Sequence, residues 1–419
     1  MHSLTHLNSL AEFKSYRNIK FLTPAVSPGN HCPMRFASVI VEDIRGLSSL
    51  LIGTAECATH SRMFTPSSFG KQGDLHWTYV LEEKEIIFGC KKGIVDSVLK
   101  MAEHNIKHIL LIFTCIPELI GEDPQEIVSE IQSKADIYVS HVMLGQFKNV
   151  SYPPGSRNTL QALSDFMIPH EKTKTVNLLG IPKDSHIPKP DFTKDLVKEG
   201  YKINYIAPDM DINNITLSTE ARLNIVLSPY TQPLADMMKE KFDIPYISLQ
   251  MAFSFEDIQK SLLAIEEILG IQLKVDRQKE HLIELEHYAE KKLKDMKFVI
   301  GQRVDLPIPI CSYLVTLSLE PLMIHVEDYY SENKLLIARI LEKADPLVFR
   351  CVNIKKDTLI FNDMDIDLGI GYFYGEDFPV IPNMFDYYGE VGYNRSIKFI
   401  NKILKTLKLE EGKYGATQI

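Results

Sequence analysis

The chain has 419 residues, of which 45% are apolar and 24% charged, and a formal net charge of −9. That length exceeds what one hydrophobic core holds and calls for several α/β units of ~100–200 residues each. The acidic balance argues against nucleic acid as a bulk partner, because phosphate binding draws on Lys and Arg.

At the N-terminus, MHSLTHLNSLAEFKSYRNIK lacks the continuous apolar core of a signal peptide. No later run approaches the ~18 apolar residues of a spanning helix, so a cytoplasmic location and no membrane contact are expected. From Phe36 to near Pro169, short apolar runs alternate with helical segments: SLLIG, EIIFG, the helix KGIVDSVLKMAEHN, HILLIF, the helix DPQEIVSEIQSKA, and DIYVSHV. The helices carry apolar residues at three- and four-residue spacing, as in Ile94, Val98 and Met101, which predicts one buried face each. Pro153, Pro154 and Gly155 interrupt the pattern, and a helix TLQALSDFM follows.

A second unit starts near Thr175. It reads strand VNLLG, helix PDFTKDLVKEG with Gly200 as its stop, strands INYIAP and LNIVLS, helix TQPLADMMKEKF, and strand IPYISLQ. The stretch 254–297, rich in Glu and Lys, reads as a helical connector. A third unit opens at KFVIG and continues through the helix PICSYLVTL, the strand PLMIHVE, the helix SENKLLIARILEKA, and the strands PLVFRCV and DIDLGIGYF. The expected fold class is therefore α/β, with three Rossmann-like domains whose mainly parallel sheets surround a central cleft. The expected boundaries are 1–172, 173–253 and 298–419, with the connector at 254–297.

Four of the six cysteines, Cys32, Cys57, Cys90 and Cys115, fall in the first of these regions, the last three after runs that read as buried strands. Ligands of parallel sheets gather at the carboxyl ends of the strands, so these thiols should converge on one edge. In a reducing cytosol, clustered cysteines lean toward metal or catalysis and away from disulfides. Cys32, Cys57 and Cys115 lack the close C-x-x-C pairs of a zinc site. Their long spacing suits an iron–sulfur cluster held from separate strand ends, with one position left for a fourth thiolate, a carboxylate or another subunit. Buried inert thiols and a redox or nucleophilic pair are the competing readings at this level.

The segments HCPMRFAS, IGTAECATHSR, IIFGCKKGIVDSVL and FTCIPELIGEDPQEIVSEI, in that order, are similar to the N-terminal domain of component 1 of nitrogenase and its relatives. That family comprises nitrogenase subunits, cofactor-assembly scaffolds and tetrapyrrole reductases, and its three-domain layout resembles the element order of this chain. The resemblance implies that Cys32, Cys57 and Cys115 bind an iron–sulfur cluster of the 4Fe–4S or P-cluster-like kind. It also implies an ATP-dependent iron–sulfur reductase on a separate chain, similar to the nitrogenase iron protein, and a homologous partner subunit or a second copy of this chain.

Departures from the family pattern carry information too. Ile52-Gly53 stands where the family has His-Gly, and Gly89-Cys90 where it has Gly-Gly. Cys90 is thus either an additional ligand or, the preferred reading, a small buried residue in a glycine's place. Glu122 and Asp123 match the family's acidic pair and should cap the helix beginning at Pro124. The catalytic nitrogenase subunit resembled here hangs its metal cofactor from a cysteine, near Ser228 in this chain, and from a histidine near the C-terminus, whereas the last histidine here is His325. A molybdenum–iron type cofactor is not expected. The ending VGYNRSIKFINKIL resembles the partner-type subunit more than the cofactor-bearing one.

Tyr230, Tyr387, Tyr388, Tyr393 and Arg395 are candidates to line a cleft, against packing as the simpler reading, and Cys311 and Cys351 read as structural. Gly369, Gly371 and Gly375 miss the spacing of a dinucleotide fingerprint, and the sequence at Gly70 is no phosphate loop. Glu284 and His287 form an E-x-x-H on a solvated helix face. The expected function is an oxidoreductase component relaying low-potential electrons through the cluster. The alternatives are a scaffold for assembling a complex metallocluster, or a non-catalytic partner subunit.

Overall fold

The computed structural model describes residues 4–15, 18–23, 32–63, 73–145, 152–181, 189–207, 209–274, 278–327, 329–350, 355–382 and 390–409. These form two compact units, one of His31–His186 and Leu196–Ile247, the other of Met1–Asn30, Ile187–Asp195 and Ser248–Ile419. Cys351, Tyr387, Tyr388 and Gly70 lie outside the described residues.

The first unit contains two sheets. One has the strand order His76–Val80, Ser48–Gly53, His108–Phe113, Tyr138–Met143, all pairs parallel. Ser48–Gly53 is buried at every position, as a strand covered on both faces must be. Alternate residues serve the two faces. Leu50, Ile52, Leu111 and Phe113 meet Ile94, Val98, Ile127 and Ile131 on one side, while Leu51, Leu110 and Ile112 meet Met34, Ala37, Val41 and Leu160 on the other.

EIIFG is not the strand the sequence suggested. Glu83–Phe88 is a helix, begun by a capping box in which the Glu82 amide donates to Glu85 Oε2 at 2.8 Å. Its Ile87 and Phe88 are 76% and 85% exposed, so the run has no sheet to fill. The strand in that place is HWTYV. Nor do Pro153 and Pro154 break a helix: they sit in the first turn of Tyr152–Ala162, where a missing N–H costs no hydrogen bond.

The second sheet runs Tyr246–Ser248, Ala221–Val226, Thr175–Leu179, Lys202–Ile206. Its centre carries asparagines, with Asn177 in register with both Asn204 and Asn224. Asn177 Nδ2 donates to Asn224 Oδ1 at 2.7 Å and to the Ser218 carbonyl at 2.9 Å. Asn204 Nδ2 donates to Asn177 Oδ1 at 2.8 Å, and Asn214 Nδ2 to Asn204 Oδ1 at 2.8 Å. A slip of one residue would leave these amides unpaired in the core, so the ladder fixes the register more sharply than interchangeable apolar contacts do.

In the other unit, five parallel-paired strands are ordered Leu347–Arg350, Glu320–His325, Lys297–Ile300, Leu368–Ile370, Val380–Ile381. In chain order this is third, second, first, fourth, fifth, the arrangement of a Rossmann half. Two short N-terminal strands, Asn8–Ser9 and Lys20–Phe21, both pair with Leu347–Arg350, the former antiparallel. The connector stretch forms the helices Phe255–Leu269 and Gln278–Leu293. Ser254 caps the first by accepting from the Asp257 amide at 3.1 Å, and Gly270 ends it at φ +64°. The second buries Leu282, Leu285, Ala289 and Leu293 and packs against Tyr393–Thr406, while Glu284 and His287 are exposed. No helix among the described residues is long and apolar enough to cross a membrane.

Candidate metal centre

Strands Ser48–Gly53 and His108–Phe113 lie side by side with Ile52 opposite Phe113, so they end together. Each is followed by a threonine in extended conformation and then a helix: Thr54 before Ala55–Arg62, Thr114 before Cys115–Leu119. Cys57 is the third residue of the first helix and Cys115 opens the second. Cys32 precedes a third helix, Met34–Glu42, which packs against both strands and against the Cys57 helix. Its carbonyl accepts from the Arg35 amide at 3.1 Å, fixing the entry of the chain.

None of the three is in a disulfide, and all are partly buried. Burial pushes the Cys32 thiol above the ordinary cysteine value, the Met34 N–H works against that, and the sulfurs of Cys115 and Cys57 add to it. The three sulfurs are therefore near enough to feel one another's charge.

Two glycines make room there. A Cβ on Gly53 would lie 2.5 Å from Thr114 Oγ1 and 2.8 Å from Cys57 Cβ. A Cβ on Gly155 would lie 2.4 Å from the Pro33 carbonyl oxygen, which already accepts from the Phe36 amide at 3.2 Å. Only glycine lets two backbone segments approach so closely.

The donors are soft thiols beside neutral hydroxyls, which suits iron–sulfur chemistry better than a hard cation. Among the described residues no three His, Cys, Asp or Glu side chains come together tightly enough for a single metal ion. In a cluster each thiolate binds a different iron, so the ligands stand further apart. Cys32, Cys57 and Cys115 are the residues that could hold one.

Cys90 is placed differently. It is 1% exposed in the apolar core with Ile94 and Phe113, and its electrostatic neighbours are Glu122 and Glu85. Burial and the Glu122 carboxylate push its thiol far above the ordinary value. Asp123 caps the Pro124–Lys134 helix, accepting from the Gln125 and Glu126 amides at 2.9 and 3.2 Å. Glu122 instead accepts from the Cys90 amide, tying the segment after Cys115 to the Gly89–Cys90 corner.

Cys311 is fully buried in the helix Pro307–Thr316. Ser228 is 1% exposed and its hydroxyl accepts from the Tyr230 amide at 3.4 Å; Tyr230 is half-buried against the core of its unit. Tyr393 and Arg395 do not line a cleft. Tyr393 donates to Gln259 Oε1 at 2.9 Å, and Arg395 stacks 3.7 Å over Phe253 while donating to the carbonyls of Gln250 and Ala252.

Among the titratable residues that no sequence motif marks is Glu286. Glu286 accepts from the Phe255 amide at 3.0 Å and the Tyr313 hydroxyl at 2.9 Å, and burial pushes its carboxyl up to about 7. It follows Leu282 by four residues and precedes Ala289 by three, which places it on the buried stripe.

The fold is one of parallel α/β sheets, with Cys57 and Cys115 just beyond neighbouring strand ends and Cys32 before the helix packed on those strands. Residues 32–408 match the model of the nitrogenase component 1 type oxidoreductases, and the chain belongs to that family. It is 30% identical over 223 residues to the nitrogenase iron-molybdenum cofactor biosynthesis protein NifE of Clostridium pasteurianum, an overlap of 51% of this chain and 47% of that one. It is 25% identical over 271 residues to NifE of Methanococcus maripaludis, covering 62% and 55%. The chain thus spans about half the length of the curated relatives it matches. Among solved structures, "Nitrogenase Cp1 at pH 6.5" superposes with a TM-score of 0.67 over 94% of this chain and 96% of that one, at 16% identity, a likeness of fold.

Proposed function

We propose that this chain is a scaffold-type member of the family, which carries an iron–sulfur cluster on Cys32, Cys57 and Cys115 and takes part in assembling a complex metallocluster. The observation that carries the reading is the approach of three partly buried thiols, two just beyond adjoining strand ends and one before the helix packed on those strands, in a chain whose matched relatives are named as cofactor biosynthesis proteins. It favours assembly over the electron relay that the sequence first suggested.

The bound group would supply one-electron redox capacity and structural cross-linking. The chain's own part is to orient three sulfurs, keep them partly out of water, and place Thr54 and Thr114 beside Cys57. Ser228 supports the scaffold reading: where a cofactor-bearing subunit would offer a thiolate, this chain has a buried hydroxyl engaged with backbone. Such a site does not anchor soft metal, which suits cargo that must leave. The proposed partners are a homologous subunit or second copy, and a separate ATP-dependent iron–sulfur reductase.

The test is the stoichiometry of the loaded chain mixed with an apo acceptor subunit, ATP and reductase. Handing over metallocluster once per chain, with no continuing product formation, supports assembly. Sustained turnover of reductant and ATP with accumulating product, and no transfer, would return the relay reading.

A further inference from the structure

Thr54 and Thr114 occupy the N-cap positions of the two cysteine-bearing helices, where a threonine hydroxyl ordinarily accepts from the first turn. Neither does so here. Thr114 is 1% exposed, and its hydroxyl donates to the Ile52 carbonyl at 2.8 Å while the Cys57 thiol donates to it at 3.6 Å. The missing Cβ of Gly53 makes the space that this hydroxyl fills. The Thr54 hydroxyl donates to Cys57 Sγ at 3.7 Å but also serves the exposed Glu56 carboxylate, so its proton is shared with solvent-facing charge.

We infer that Thr114 sets the reduction potential of the cluster, its buried hydroxyl donating to the Cys57 sulfur once that sulfur has released its proton to solvent and binds iron as the thiolate. The inference rests on the ligand assignment proposed above. A metal-bound thiolate has no proton to give and becomes the stronger acceptor, so the hydroxyl hydrogen turns from Ile52 to Cys57 with no heavy atom moving. The Ile52 carbonyl keeps a partner, because the Thr114 amide donates to it at 3.1 Å. A hydrogen bond to a ligand sulfur disperses negative charge, favours the reduced cluster and raises the potential. Burial strengthens the effect by keeping water from competing.

The experiment is a redox titration, followed by electron paramagnetic resonance, of the full chain reconstituted anaerobically with iron and sulfide. Thr114→Val, close in shape, should load as much iron as wild type but show a more negative midpoint. The expected change is about tenfold in the reduction equilibrium, or ~59 mV for a one-electron couple, and Thr114→Ser should return the midpoint toward wild type. An unchanged midpoint in fully loaded Thr114→Val overturns the inference. So does loss of cluster from both Thr114→Val and Thr114→Ala while Thr114→Ser loads, since the hydroxyl would then be a structural requirement. Wild type that takes up no cluster would remove the ligand assignment itself, and the inference with it.

Discussion

Glu286→Gln should change how stability depends on pH. The carboxyl sits among the Phe255 amide, the Tyr313 hydroxyl and the carboxylates of Glu256 and Asp257, the last held by Arg339 in two hydrogen bonds of 2.7 and 2.9 Å. Desolvation and these neighbouring charges outweigh the two donated hydrogen bonds, and the group moves from an ordinary 4.5 to about 7. Between those values the folded chain keeps a proton that the unfolded chain has lost, so stability falls as pH rises through the window and levels off above about 7.

The loss amounts to roughly 3 kcal/mol. Glutamine retains an acceptor oxygen for Phe255 and Tyr313 but cannot ionise. Urea unfolding of wild type and variant, compared at pH 5 and pH 8, isolates the effect, because every other titrating group is common to both. The variant should gain about 3 kcal/mol relative to wild type at the higher pH and little at the lower. An equal difference at both pH values would mean that the Glu286 carboxyl does not titrate in this window.

Three further outcomes follow from the same structure. His76 is held neutral by burial and by Arg62, its value lowered from 6.5 to about 4; the unfolded chain therefore binds a proton first as pH falls, and stability drops by ~3 kcal/mol across that window. His76→Gln should flatten this acid limb in the same unfolding assay. Asn177→Ala leaves Asn224 Oδ1 and the Ser218 carbonyl without their Asn177 donor, at a cost of about 3 kcal/mol visible in the denaturant midpoint. Gly155→Ala must push the Cys32-Pro33 backbone away, and should weaken cluster retention under a chelator about 10–100-fold, while the Cα-neutral control Ser156→Ala loads normally.

Much of the fold was legible because strand ends and helix starts are written locally. SLLIG and HILLIF are short, β-branched or leucine-rich, and each is followed by a threonine and then a helix, so the thiols after them could be placed at one edge. EIIFG failed because an apolar run as short as Ile86–Phe88 has no period to choose between strand and helix, and the capping box at Glu82 and Glu85 decided it. The asparagine ladder was illegible: polar residues inside a strand read as its solvent face unless their partners on other strands are known. Asn8–Ser9 and Lys20–Phe21 are too short to show alternation, and only the third sheet gives them structure.

For the candidate centre, the sequence named Cys32, Cys57 and Cys115. It also left Cys90 open, which the structure separates from them by burial and by carboxylate neighbours. The Thr114 hydroxyl and the glycines around the thiols were not readable, since their roles depend on approaches of under 4 Å between distant segments. Glu286 had a signal in the leucine stripe of its helix, masked by the Glu and Lys residues on either side.

Iron and acid-labile sulfide analysis of anaerobically purified protein tests the proposed cluster on Cys32, Cys57 and Cys115 most directly. Both elements are expected in wild type, with a visible absorbance that is largely lost in Cys57→Ser and unaffected in Cys90→Ser. Wild type without iron, or a Cys57→Ser variant that keeps the full complement, would contradict it.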